Sequence, residues 1–95
     1  MDNAEEESRL IHKFAEANGF IMKIGKTPDL WDIEIDLCKQ VGDIAQPDIV
    51  MYTGYGSTTA DATKDLLKFI MSCKGWKDRS EMEVWCDLNC SSIFH

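Results

Sequence analysis

The sequence predicts a single α+β domain, residues 1–95, in which an antiparallel sheet carries two helices on one face. Two stretches place apolar residues at the spacing of an amphipathic helix. Three stretches between them alternate apolar and polar residues or are rich in β-branched and aromatic side chains, as strands are. A fourth alternating stretch follows the second helix. The predicted order is therefore α-β-β-β-α with an additional C-terminal strand.

The first predicted helix covers residues 4–18. Asp2 or Asn3 can cap its start, and three glutamates follow in the first turn, where the helix dipole favours negative charge. The pair Asn18-Gly19 supplies a C-terminal stop. Apolar side chains on one face predict which side packs on the core: Leu10, Ile11, Phe14 and Ala15.

The second predicted helix covers residues 59–74. Thr58 or Ser57 can cap its start, and Gly75 can end it. We expect its buried stripe to comprise Ala62, Leu66, Phe69, Ile70 and Cys73.

Three predicted strands lie between the helices, at residues 20–25, 30–37 and 49–55, and residues 39–48 are predicted as a turn or short loop. The second strand alternates most clearly. Trp31, Ile33, Ile35 and Leu37 fall on one face, and Asp32, Glu34 and Asp36 fall on the other. Residues 81–88 alternate in the same way and predict the fourth strand. An antiparallel meander with both helices on one face leaves its other face open and polar.

The junction from Gly54 to Leu67 resembles the corresponding part of the double-stranded-RNA-binding domain. That family has a glycine-rich approach to its second helix, then a capping serine and helix-packing alanines. Gly54 and Gly56 stand in the approach here, and Thr58 and Ala62 match the cap and an alanine. Leu66 and Leu67 fall on the paired-alanine positions. The resemblance covers roughly residues 4–74 and implies the fold.

The lysines with which that family grips phosphate are missing from this sequence. Their positions are occupied by Thr59, Ala60 and Thr63, which we expect to face solvent. Because such domains recognise duplex RNA through phosphate and 2′-OH contacts, we expect no direct nucleic-acid binding. The net charge of −7 also opposes it.

The acidity is concentrated in the first half of the chain, where residues 1–48 hold eleven acidic and five basic residues. Asp32, Glu34 and Asp36 would form an anionic row with a spacing of about 6.6 Å, comparable with phosphates along a nucleic-acid strand. Such a row is expected to bind a protein that binds nucleic acid. An ordinary solvated sheet face is the alternative interpretation. The residues predicted to bind a partner are Asp29, Asp32, Glu34, Asp36, Asp43, Asp48, Tyr52 and Trp85.

Small acidic phage proteins with a similar glycine-rich turn and no catalytic signature include anti-CRISPR inhibitors. The resemblance to this class implies a non-catalytic, phage-encoded inhibitor that binds a basic surface of a nucleic-acid-handling complex, such as a CRISPR effector, through nucleic-acid mimicry. One alternative is a general interaction domain that dimerises through a sheet edge or through Tyr52 and Trp85. A less favoured alternative is a zinc site formed by Cys73, Cys86, Cys90 and His95. We expect no cofactor and no metal.

The N-terminus lacks the basic and apolar regions of a secretory signal, and no apolar run reaches the roughly 20 residues that span a membrane. The sequence therefore predicts a cytoplasmic protein without membrane association, located in the host cell if it is phage-encoded. Reduced cysteines are expected there.

Overall fold

In a computed structural model the chain forms a three-stranded sheet and three helices in the order α-β-β-β-α-α. The structure describes residues 3–27, 32–41 and 44–90. The elements are α1 Asn3–Asn18, β1 Phe20–Lys26, β2 Ile33–Val41, β3 Ile44–Gly56, α2 Thr59–Lys74 and α3 Arg79–Cys90. The predicted α+β class, the three antiparallel strands and the two predicted helices are confirmed.

The sheet has the order β1-β2-β3, and both neighbouring pairs are antiparallel. The prediction of a turn or loop over residues 39–48 is wrong for most of that stretch, because β2 continues to Val41 and β3 begins at Ile44. Backbone hydrogen bonds can extend two paired strands beyond the stretch in which apolar and polar residues alternate. The alternating pattern therefore did not indicate the ends of β2 and β3 that meet at this turn. The pairing shifts register around Cys38, as at a β-bulge.

The core lies between the sheet and the helices. Leu10, Ile11, Phe14 and Ala15 of α1 are buried, as predicted. In α2 the buried stripe contains Ala62, Leu66 and Ile70 as predicted, but Phe69 and Cys73 are exposed. Thr63 and Leu67 are buried in their place. The buried face of α2 comprises positions 62, 63, 66, 67 and 70. Positions 69 and 73 lie beside this face and are exposed.

The predicted C-terminal strand is wrong, because residues 81–88 belong to α3. Met82 and Cys86 are completely buried, and their spacing of four fits a helix as well as an alternating strand. Val84 and Leu88, which a strand would bury with them, are 59% and 71% exposed. The overlooked signal is the pair Asp78 and Glu81, spaced as in a capping box.

One of the two hydrogen bonds of a capping box is present at the start of α3, and the Glu81 carboxylate accepts from the residue before the cap. The Glu81 backbone N–H donates to the Asp78 carboxylate at 3.1 Å, and the Lys77 backbone N–H donates to the Glu81 carboxylate. The helix then lies against α1. Its Glu83 forms an ion pair with Arg9 at 3.1 Å, and its Asp87 accepts from Lys13 at 2.5 Å, which raises the pKa of Lys13. Such exposed pairs orient the two helices and add little stability.

The ends of α2 are built as the sequence predicts. The Asp61 backbone N–H donates to the Thr58 hydroxyl at 3.1 Å, which caps the helix start. Gly75 ends the helix with φ of 73°, the left-handed conformation that glycine adopts most readily.

Gly54 and Gly56 allow β3 and α2 to approach closely. A Cβ atom at Gly54 would lie 2.5 Å from the Leu66 backbone nitrogen and 2.6 Å from the Ala62 carbonyl oxygen. At Gly56 it would collide with the backbone of Asp61 and Ala62. The glycine-rich turn therefore has a packing role, which explains its residues without a phosphate ligand.

Candidate functional site

Glu34 and Asp36 of the acidic row lie on the sheet face opposite the helices, because Ile35 and Leu37 are buried on the helical side. Asp32 precedes β2, and its backbone N–H donates to the Thr27 hydroxyl at 3.1 Å. Asp36 is only 7% exposed, and its carboxylate accepts a hydrogen bond from the Thr53 hydroxyl at 2.6 Å. Lys23 is the cross-strand neighbour of Asp36. Asp32 and Glu34 are partly exposed.

The carboxyl groups of Glu34 and Asp36 interact with each other. A side-chain hydrogen bond to Asp36 raises the pKa of Glu34, with burial and the negative charge of Asp36 acting in the same direction and Lys23 opposing them. The two carboxyl groups are therefore not independent of each other, as an evenly spaced row with a separation of about 6.6 Å would require. As a result, the row does not present three independent, evenly spaced negative charges.

The other acidic residues predicted to bind a partner are not described with their side chains. Asp29 and Asp43 lie outside the residues that the structure describes. Asp48 belongs to β3, but its side chain is outside the described part of the chain.

Tyr52 lies on the helical side of the sheet, away from Glu34 and Asp36. Its ring contacts Phe14 edge-on at a centroid distance of 5.5 Å, with Phe20 at 6.1 Å and Phe69 at 5.8 Å. Burial raises the pKa of its hydroxyl. This packing gives Tyr52 a structural role beside the core.

Trp85 also packs against Phe14, with ring centroids 5.8 Å apart, and against Trp76 at 5.6 Å. The ammonium group of Lys74 lies 5.6 Å from the Trp85 ring, within cation–π range. Trp85 is partly exposed. Both predicted aromatic anchors thus contact the same core phenylalanine, and neither stands on the acidic sheet face.

Sequence reasoning missed a groove along α3, named here the α3 groove, with a volume of about 500 Å³. Val84 and Leu88 form its exposed apolar part, one helical turn apart, and the two tryptophans stand beside them. Acidic and hydroxyl groups at the helix start complete the lining: Asp78, Ser80 and Glu81. The groove arises from the helical phase of α3, which the alternating pattern of residues 81–88 concealed.

The four thiol and imidazole groups of the alternative zinc site do not all fall within the described structure. Cys73 is exposed on α2, and Cys86 is buried on α3. The side chain of Cys90 and all of His95 lie outside the described part. Across residues 3–27, 32–41 and 44–90, no three His, Cys, Asp or Glu side chains are placed to hold a metal ion.

No protein family, curated protein or solved structure matches this chain. Among the helices that the structure describes, none is long and apolar enough to cross a membrane.

Proposed function

We propose that this protein is a non-catalytic binding protein, and that its α3 groove takes a basic, partly apolar segment of a partner protein. The observation that carries the proposal is the exposure of Val84 and Leu88 beside two tryptophans and two carboxylates.

The apolar part of the groove supplies the contact area. Val84 and Leu88 lie at i and i+4 on α3, so they form one continuous apolar strip. Tryptophan contributes a large apolar area with few rotatable bonds and is enriched at the energetic centres of protein interfaces. Trp76 and Trp85 are partly exposed and held against Phe14, so little ordering of these rings is needed on binding.

The charge of the groove selects the partner. Asp78 and Glu81 are both exposed and border the apolar strip. The whole chain carries −7, which steers basic molecules toward it over distances of about a Debye length. A partner segment with lysine or arginine beside aliphatic side chains complements both features, as in helix-in-groove recognition.

The biological role that we propose is inhibition of a nucleic-acid-handling complex, such as a CRISPR effector, by a phage-encoded protein in the host cytoplasm. It rests on the acidic charge and on the likeness to small acidic phage proteins. Mimicry of nucleic acid by Asp32, Glu34 and Asp36 has less support than the α3 groove. Asp36 is buried, and its carboxyl group shares a hydrogen bond with Glu34.

The chemical part of the proposal is tested with a synthetic amphipathic helical peptide of lysine and leucine, titrated while tryptophan fluorescence is recorded. Val84→Lys combined with Leu88→Lys should weaken binding by roughly tenfold or more, through lost apolar area and like-charge repulsion. Ile24→Lys combined with Ile49→Lys is the matched control, because these side chains are 55% and 41% exposed but lie on β1 and β3. Equal losses in both variants would contradict the assignment of binding to the α3 groove.

The biological part is tested by measuring DNA cleavage by purified CRISPR effector complexes at physiological salt. The protein should inhibit at least one complex and co-elute with it, and the Val84→Lys, Leu88→Lys variant should not. Peptide binding without inhibition of any complex would support the groove and contradict the inhibitor role.

Self-association along β3 is a second candidate function. β3 is an edge strand, and its consecutive residues Ile49, Val50 and Met51 are each at least 41% exposed. Exposed apolar edge strands readily pair with another chain. Light scattering over a range of concentrations should then show a dimer, and Val50→Lys should return it to a monomer. A monomer at high concentration would exclude this candidate.

A further inference from the structure

A second groove, named here the α2 groove, lies where α1, α2 and the start of α3 meet, with a volume of about 650 Å³. Its lining differs in charge from the rest of this acidic chain. Lys64 and Lys68 come from α2, and Arg79 comes from the first position of α3. Leu67 and Met71 supply an apolar floor between them. The volume falls in the range of small-molecule sites.

Arg79 is held in place by a buried carboxylate. Glu7 of α1 is only 2% exposed, and its carboxylate accepts a hydrogen bond from the Arg79 guanidinium at 2.5 Å. The Arg79 side chain remains 40% exposed. A guanidinium has five N–H donors, so the pair with Glu7 leaves donors for another acceptor while it restricts the arginine rotamers.

The lysines of α2 are separated from the acidic residues of the same helix. The Asp65 carboxylate accepts from the Tyr55 backbone N–H at 3.0 Å, beside β3, and Asp61 lies against Gly56. Both acids therefore face the β3 side of α2. Lys64 and Lys68 lie one turn apart along the groove, and neither forms an ion pair with a described carboxylate.

One further carboxylate borders the groove. Asp78 accepts from the Glu81 backbone N–H at the start of α3. Glu7 is paired with Arg79, and Asp78 lies at the edge that the α2 groove shares with the α3 groove. The two lysine ammonium groups and the outer side of the guanidinium are therefore the donors that an anionic ligand would meet.

We propose that the α2 groove binds a small amphipathic anion, a carboxylate or phosphate group attached to a short apolar body. The anionic group would contact Lys64, Lys68 and Arg79, and the apolar body would lie on Leu67 and Met71. Charge-assisted hydrogen bonds from arginine and lysine are the strong interactions that such a head group offers. This inference goes beyond the proposed function, because it concerns a different surface and a ligand of opposite charge.

The test is a titration of the full chain with decanoate and with decyl phosphate, each below its micelle concentration, followed by amide chemical shifts in NMR. Both probes should bind saturably, with the largest shifts around residues 64–71 and 79–80. Decanol, which has the apolar body without the charge, should bind at least about tenfold more weakly. Inorganic phosphate should also bind more weakly, since it lacks the apolar body.

The variant Lys64→Gln, Lys68→Gln should reduce affinity for both anions by roughly tenfold. The matched control is Lys26→Gln, Lys77→Gln, which removes the same charge from exposed positions outside the groove and should bind as the unmodified protein does. Equal binding of decanol, equal losses in the two double variants, or shifts confined to Val84 and Leu88 would each overturn the proposal. Comparison of the two anions shows whether the groove prefers a carboxylate or a phosphate.

Discussion

Gly54→Ala should destabilise the protein strongly, because β3 and α2 meet at this position through their backbones. An added Cβ would stand 2.5 Å from the Leu66 nitrogen, whereas an ordinary contact is 3.4–4 Å. Relief of the clash requires β3 and α2 to separate by about 0.9 Å, the difference between 2.5 and 3.4 Å. Ala62 and Leu66, both completely buried, would lose contact with the sheet as a result.

The expected cost follows from known overpacking effects. Added methyl groups in a well-packed core cost about 1–3 kcal/mol, and the upper part of that range applies where rigid backbone must move. We therefore expect a loss of about 2–3 kcal/mol. For a domain of this size, that corresponds to a fall in Tm of about 10–20 °C.

The measurement is urea unfolding followed by tryptophan fluorescence, with Gly25→Ala as the control. Gly25 also lies in a strand, β1, but a Cβ there meets nothing within 4 Å. Its replacement should change the free energy of unfolding by about 0.5 kcal/mol or less. If the two variants unfold at the same urea concentration, the close contact between β3 and α2 is refuted, and a role of the glycine-rich turn other than packing has to be sought.

Three other outcomes are expected. Glu34→Gln should raise Tm at pH 7 and have little effect on it near pH 4. The hydrogen bond to Asp36 favours protonated Glu34, and this stabilisation is lost as pH rises through the raised pKa of Glu34. A change in Tm that is independent of pH would contradict this reasoning. Thr63→Lys should cost about 2–4 kcal/mol in urea unfolding because Thr63 is buried, whereas Thr59→Lys at an exposed site should cost under about 0.5 kcal/mol. Iodoacetamide should alkylate exposed Cys73 before the buried Cys38 and Cys86, as peptide mass spectrometry would show.

The parts of the fold that the sequence predicted correctly depend on local signals. The Thr58 cap and the Gly75 stop fixed the bounds of α2, and the alternation of β2 identified its buried face. These signals act within a few residues, so no tertiary information is needed to use them. The expectation that Thr63 faces solvent, which rests on the family's lysine position, is wrong. Its side chain is buried, and its hydroxyl donates to the Thr59 carbonyl at 2.7 Å.

The parts that were missed depend on tertiary packing. Met82 and Cys86 satisfy the spacing of a strand and of a helix equally, and only the docking of α3 on α1 decides between them. The interaction between the Glu34 and Asp36 carboxyl groups depends on side-chain rotamers. Neither the helical state of residues 81–88 nor the interaction between Glu34 and Asp36 can be obtained from residue spacing alone.

Which residues of α3 face the core and which face solvent also indicates which surface of the protein is better suited to bind a partner. Folding requires α3 to bury Met82 and Cys86, and any solvent-facing position on the same helix could be polar without loss of that packing. Val84 and Leu88 are instead large, apolar and more than half exposed. Acidic residues on an open sheet face need no such explanation, because polar side chains are what a solvated strand face requires. Exposed apolar residues beside tryptophans are not required by folding and lower solubility. A partner that covers them would account for their presence, and for this reason we propose the α3 groove, and not the acidic row, as the binding surface.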